Sequence, residues 1–348
     1  MVTPWLRRIG IAAVALLFLA AAGHSAVWWW AITTIEAEIA ATLRTPPLPG
    51  WQASAGPMQR AGWPLAATVQ VPALAATGPP AAGETWRWQA EHLSVSLTFA
   101  RPRTLAIAIT GRQSLQPGLA PPIPYTAARM TAEVTFTLGS PDRRLAIDVA
   151  ELRAELPAGP LTLARLEIHT DQRPRAEPGA PTLTVTIAAR GAGLPPGLSW
   201  ALGPTIDRFL IDLVLSGPVP NTQDLADRAT AWRDSGGTLV LRHLDLDWGE
   251  AKLSSDARLA LDAQLQPAGT GAVRLVGHAA ALRALVISGV LPQRTAVTAG
   301  AVLGLMARPP PAGGPPVLEV PLTLQNRTLA LGRIPLVRVP ELVWRPPQ

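Results

Sequence analysis

The chain has 348 residues, a net charge of +6 and no cysteine; 48% of its residues are hydrophobic and 16% charged. This composition supplies ample core and argues against a disordered chain. The lack of cysteine excludes disulfides, thiolate metal sites and cysteine nucleophiles.

The positive balance does not point to nucleic acid. Lys252 is the only lysine, and the other basic residues are arginines, as a GC-rich coding sequence with abundant Ala and Pro would bring. They alternate with acids, as in Arg143, Arg144, Asp148, Glu151, Arg153 and Glu155, and do not gather beside stacking aromatics.

Arg7 and Arg8 precede an uncharged apolar run from Ile9 to Ile32. As a helix the run is about 36 Å long, enough for a hydrocarbon core of roughly 30 Å. His24 and Ser25 are its notable polar residues, and Trp28, Trp29 and Trp30 sit at its far end, as an interfacial aromatic belt would. Arginines before the run and Glu36 and Glu38 after it place the N-terminus inside and the bulk of the chain in the periplasm of a Gram-negative cell. A cleaved signal peptide ending at Ala20, Ala21 and Ala22 is the alternative, but the run continues past them. The helix is expected to extend as a polar stem through Leu43, until Pro46, Pro47 and Pro49 stop it.

Beyond the prolines the apolar period becomes two. Leu93, Val95, Leu97 and Phe99 alternate with Ser and Thr, and Met130, Ala132, Val134, Phe136 and Leu138 do the same. Leu183 to Ile187, Phe209 to Leu215 and Leu318 to Leu324 repeat the pattern. This alternation predicts roughly a dozen strands, each apolar on one face. Turns are expected at Gly139-Ser140-Pro141-Asp142, Pro157-Ala158-Gly159-Pro160, Gly217-Pro218 and Pro267-Ala268-Gly269. Three helices are expected, over Gln223 to Arg233 and, as an apolar hairpin about Pro292, over Ala279 to Val290 and Thr295 to Met306. The hairpin would cover part of a sheet; insertion into the membrane is the alternative, opposed by its short pieces and by Arg283. Proline-rich loops are expected over Thr77 to Gly83, Gln116 to Pro124 and Arg308 to Pro316, and a linker or long crossover over Gly191 to Pro204. The expected fold is mainly β: an N-terminal transmembrane helix, then large antiparallel, curved sheets with two or three short helices. Residues 1–45 would form the anchor and stem, 46–190 a first β unit and 191–348 a second one carrying the hairpin; one continuous domain over both β units is the alternative. Leu152 to Ile168 and Leu244 to Leu261 echo each other as strand, turn, strand.

A set of short patterns recurs in order along the chain. Gly50-Trp51 precedes Gly62-Trp63-Pro64; Trp86 and Trp88 open a strand; Trp232 to Thr238 leads into Leu244-Asp245-Leu246-Asp247-Trp248-Gly249. Leu259 to Asp262, Gln266 to Gly269 and Leu329 to Pro335 follow. In order and spacing the chain resembles the bacterial domain of unknown function 2125 family of alphaproteobacterial envelope proteins, from about residue 25 onward. Gly62-Trp63-Pro64 stands where that family often has Gly-Phe-Pro. The resemblance implies a membrane-tethered envelope protein and brings no catalytic residues. The segment Thr238 to Gly277 is also similar to strand pairs of AsmA-type envelope proteins, whose curved sheets carry lipid on an apolar face.

No chemical motif stands out. His24, His92, His169, His243 and His278 have no metal-ligand spacing, and no His-Glu-x-x-His occurs. Asp245 and Asp247 share a strand face and could hold a hard cation, but Arg242 and Arg258 lie near enough to balance them as an ordinary wet face. Ser199 lies outside any nucleophile elbow, Gly269-Thr270-Gly271 lacks the rest of a phosphate loop, and Asn326-Arg327-Thr328 reads as a turn. No catalytic, cofactor or metal residue is assigned, and the chain is not expected to be an enzyme. Twelve tryptophans stand against four Phe and one Tyr. Trp51, Trp63, Trp86, Trp88, Trp200, Trp232 and Trp248 fall near strand ends, where they would plug the sheet, line the mouth of an apolar groove or rest on a bilayer. The expected partners are the membrane, through residues 9–32, and a lipid or an envelope protein. The leading functional expectation is an inner-membrane-anchored periplasmic protein that binds or handles lipid; the alternative is an envelope scaffold without a ligand.

Overall fold

The computed structural model describes residues 4–46, 50–81, 84–174, 177, 179–218, 224–289, 292–308, 315–331 and 334–344. Pro47, Pro49, Gln223, most of the 308–316 loop and Gly332-Arg333 lie outside them. The fold is mainly β, and every strand pairing in it is antiparallel. The chain divides into two compact units, Met1–Thr135 and Phe136–Gln348.

The first unit opens with helix α1, Pro4–Arg44. Strands β1 (Gln52–Ser54), β2 (Gln59–Ala61), β3 (Ala66–Ala81), β4 (Glu84–Thr98), β5 (Thr104–Pro117), β6 (Ile123–Thr126) and β7 (Arg129–Phe136) follow. β3 pairs with β4, β4 with β5, and β5 with both β6 and β7; β1 and β2 add to the far side of β3. The register aligns apolar residues in rows, such as Val69–Val95–Ile107 and Ala67–Leu97–Leu105. One face of the sheet is therefore continuously apolar, as the period-two reading requires.

Helix α1 changes character along its length. From Ala12 to Gly23 every residue is exposed. From His24 onward one stripe turns inward: Trp28, Ala31, Ile32, Ile35 and Ile39, spaced three and four apart, pack on β3. Ala31, Ile32, Ala67, Val69 and Val71 form the buried cluster, and Ile32 and Val69 are completely enclosed. The last two residues of the apolar run, Ala31 and Ile32, thus lie in the protein core.

The second unit contains β8 (Arg143–Leu156), β9 (Gly159–Gln172), β10 (Pro181–Gly193), β11 (Thr205–Ser216), β12 (Thr238–Trp248), β13 (Ala251–Leu261), β14 (Pro267–Val276), β15 (Val317–Gln325), β16 (Thr328–Leu331) and β17 (Ile334–Arg338). Each pairs with the next in chain order. The register carries one apolar row through Val149, Leu166, Ala189, Phe209, Leu246, Leu253, Leu275 and Leu318. Helices α2 (Leu225–Asp234), α3 (His278–Ile287) and α4 (Gln293–Met306) are short. α2 and α3 pack on β13, α4 packs on β15, and α3 and α4 pair as the expected hairpin. Asp224 caps α2 by accepting from the N–H groups of Ala226 and Asp227.

Both units break their pleat along a line. In the first, Ala73 of β3 (φ 51°) lies opposite Glu91 of β4, and Gly111 of β5 (φ 83°) sits beside a register slip. Glu91 accepts the N–H of Arg112 at 2.9 Å, satisfying a donor freed by the slip. In the second, Glu151 of β8 (φ 52°) and Gly191 of β10 (φ 60°) occupy the equivalent role. Such irregularities bend long strands and account for the expected curvature.

Several sequence expectations need correction. In the stretch expected as a loop over Thr77 to Gly83, residues 77–81 are strand: β3 runs on to Ala81 and pairs Thr77 with Arg87 and Gly78 with Trp86, while Ala82 and Gly83 lie outside the described residues. Its prolines are tolerated because β1 ends at Thr77 on the other side, so no ladder donor is needed there. Pro267-Ala268-Gly269 begins β14, and the turn lies earlier, where the Asp262 carboxylate accepts from the N–H groups of Gln264 and Gln266. The 194–204 segment is not a crossover but closes the antiparallel β10–β11 hairpin. Phe99 and Leu138 fall beyond the ends of β4 and β7. Strands β1, β2, β6 and β16 are too short to show a period, so the sequence yields fewer strands than the structure holds.

If α1 docks as described, Ile32→Ala removes a side chain with no solvent exposure and costs about 2–5 kcal/mol. Leu19→Ala, on the exposed part of the same helix, stays within about 0.5 kcal/mol. Guanidinium unfolding of the detergent-solubilised full chain, followed by tryptophan fluorescence, distinguishes the two.

Candidate functional site

The cover provided by α1 ends before the sheet does. Its inward stripe seals β3, but Leu93 of β4 and Leu105 and Ile107 of β5 remain only half-buried. Between them lies a half-open groove of about 390 Å³. Ile39 and Leu43 of α1, with Pro46 just past its end, form one wall, Trp51 and Ala53 its end, and Val71, Leu74, Leu93, Val95, Leu105 and Ile107 its floor. Glu38, Thr42 and Gln52 supply the polar groups of the lining. Trp51 fits because Gly78 has no side chain: a Cβ there would come 2.9 Å from the indole. The volume falls within the ~300–1,000 Å³ range of small-molecule sites, and the lining is of the apolar kind such sites use.

The second unit has its own apolar groove, of about 310 Å³, beneath α2. Leu225, Ala229 and Trp232 face Leu215, Leu239, Leu259 and Leu261 across it, and Leu342 and Trp344 of the C-terminal segment close one end. Gln266, buried at 6% exposure, holds that segment like a backbone partner. Its Oε1 accepts from the N–H of Leu342 at 2.9 Å and its Nε2 donates to the Leu342 carbonyl at 3.2 Å. Trp344 donates to the Leu265 carbonyl at 2.8 Å. Sequence reasoning missed this strap, because nothing local marks Gln266 as the partner of a residue so distant in the chain.

The histidines do not converge. Nε2 of His24 donates to the Pro64 carbonyl at 2.6 Å, and its ring meets the Phe99 ring edge-on. His92 lies exposed beside Glu91 at 3.7 Å. His169 is exposed on β9, and His278 begins α3. His243 lines a polar cleft of about 800 Å³ with Arg242, Asp245, Asp256, Arg258 and Arg274. Among the described residues no group of three His, Asp or Glu side chains could hold a metal. Arg208 pairs with Asp245 at 3.7 Å and lies opposite Asp247, which also faces Lys252 across β13. Asp247 thus faces a cation on each neighbouring strand and Asp245 pairs with Arg208, as on a solvated strand face.

A family model for uncharacterised proteins conserved in bacteria, domain of unknown function 2125, matches residues 28–340. The chain belongs to this family. The match begins within α1, at Trp28, and takes in strands β1–β17, so it spans the sheet of both units of the domain of unknown function 2125 protein. No curated protein and no solved structure matches the chain.

Several tryptophans of this family member brace loops. Trp200 donates to the Pro195 carbonyl at 2.9 Å, Trp248 to Gly203 at 2.8 Å and Trp232 to Ser216 at 3.0 Å. The first two rings, 6.4 Å apart, together fill the β10–β11 hairpin. Trp88 donates to the Tyr125 hydroxyl at 2.5 Å. Burial pushes the Tyr125 phenol above its ordinary value of 10, and the Trp88 hydrogen bond opposes this more weakly.

Tyr125 is the only tyrosine, so phenolate absorbance reports one group. Its titration midpoint should lie above 10 in the folded chain. The raised value means the folded state holds the proton longer; the associated stability is full below pH 10 and is lost as pH rises through the folded value. A midpoint at or below that of the denatured chain would contradict the buried phenol. For the acidic pair, Asp245→Asn with Asp247→Asn should shift the unfolding midpoint by no more than about 0.5 kcal/mol, since exposed ion pairs contribute little. Calorimetric detection of calcium or magnesium binding that this double variant abolishes would show that the pair is a cation site.

Proposed function

We propose that this protein is an inner-membrane-anchored envelope protein whose periplasmic domain takes up the acyl chain of a membrane lipid in the groove between α1 and strands β3–β5. The observation that carries this reading is the identity of one wall of the groove. It is α1, the helix that is long and apolar enough to cross a membrane. A chain leaving the bilayer along that helix would meet an apolar surface continuing into the groove, with Glu38 and Thr42 available to a polar head. Arg7 and Arg8 before the apolar run, and Glu36 and Glu38 after it, support an N-terminus inside and a domain outside. The hydrocarbon core would extend from about Ile9 to Trp28, and the Trp28–Trp30 level would lie at its outer interface.

Photo-crosslinking tests the groove. The full chain, reconstituted in vesicles with a phospholipid carrying a diazirine in its acyl chain, is irradiated and its adducts are mapped by mass spectrometry. Adducts on the floor strands at Leu74, Leu93 or Ile107, reduced severalfold by Leu93→Trp, are expected. Adducts confined to the exposed part of α1 would overturn the groove reading and leave the interaction module as the better account.

A further inference from the structure

The β2–β3 turn carries Trp63, Pro64 and Leu65, and it differs from the other tight turns of the first unit. Leu65 is 79% and Trp63 59% exposed, only two to four residues from the fully enclosed Ala67. The Trp63 indole N–H has no hydrogen-bond partner among the described residues, whereas six other tryptophans donate to a carbonyl or a hydroxyl. The backbone of the turn is the reverse: the carbonyls of Gly62, Pro64, Leu65 and Ala66 are occupied. The Gly62 carbonyl accepts from the N–H of Ala66 at 2.8 Å, and that of Leu65 from the N–H of Phe99 at 3.2 Å. The Pro64 carbonyl accepts from His24 and that of Ala66 from Trp28 at 2.8 Å. Pro64 has no N–H to satisfy. A turn that points apolar side chains outward while tying up four of its carbonyls leaves fewer polar groups that need water.

Its position says which medium. Two of the ties come from α1, at His24 and Trp28, where the wholly exposed part of the helix ends. From Ile9, which follows the arginine pair, to Trp28 the helix runs twenty residues, about 30 Å, the thickness of a hydrocarbon core. Trp29 and Trp30, also exposed, stand on the helix at the same level, and the Arg60 guanidinium lies 4.7 Å over the Trp29 ring. Aromatic and cationic groups gathered at one depth beside an apolar helix are what a lipid–water interface collects.

We propose that Trp63 and Leu65 insert into the lipid–water interface beside α1 as a second membrane contact of the first unit. This rests on α1 spanning the bilayer, and the test separates the two. Because the chain has no cysteine, Leu16→Cys, Trp63→Cys, Leu65→Cys and Leu119→Cys each give a single site for a nitroxide label. Each full-length variant is reconstituted in vesicles of phosphatidylethanolamine and phosphatidylglycerol. Relaxation by lipid-soluble oxygen and by a water-soluble nickel chelate gives the depth of the label. The expected result is a deep label at 16, interfacial labels at 63 and 65, with nickel accessibility severalfold below that at 119, and an aqueous label at 119. A deep label at 16 with labels at 63 and 65 as aqueous as 119 overturns the second contact and leaves the anchor. An aqueous label at 16 overturns both.

Discussion

The first unit depends on α1 laying its stripe from Trp28 to Ile39 on strand β3. A sheet with one apolar face needs a cover, and in this unit the cover is the helix that begins in the apolar N-terminal run. Without that contact Val69 and Val71 would face water and the apolar rows across β3, β4 and β5 would lose the stretch that α1 encloses. The groove is a direct consequence, since one helix is narrower than the three-strand face of β3, β4 and β5. The apolar residues past its edge stay half-exposed, and the space beside it is lined by them.

Much of the fold was legible because its physics is local. Period two in Leu93 to Leu97 and Leu183 to Ile187 marks strands, and the length of the apolar N-terminal run marks the helix. Asn326 and Arg327, both at positive φ, form the turn that their sequence suggested between β15 and β16. What was hidden depends on partners distant in the chain. The sequence gives no sign that Ala31 and Ile32 leave a membrane-like run to enter a core, because an apolar side chain looks alike in lipid and in protein. The prolines near residue 79 read as a loop because their tolerance depends on β1 ending where it does. The groove residues could be predicted as apolar faces, but which of them remain uncovered is decided by where a helix lies.

Tryptophan shows the same division. Placement near strand ends was readable for Trp200, Trp232 and Trp248, and each braces a loop through its N–H. Whether a given indole is a brace or an exposed surface requires knowing its acceptor, and only the structure separates Trp88 from Trp63.

Helix α1 is continuous from Pro4 to Arg44. No proline follows Pro4 within it, and the helix runs unbroken through Gly23, where the exposed part ends, to the end of its contact with the sheet. A rod of this kind transmits rotation: whatever turns or tilts its N-terminal half must carry β3, and the groove beside it, through the same angle. The attitude of the groove is then set by the environment around the first half of the helix, through geometry alone and without any moving joint.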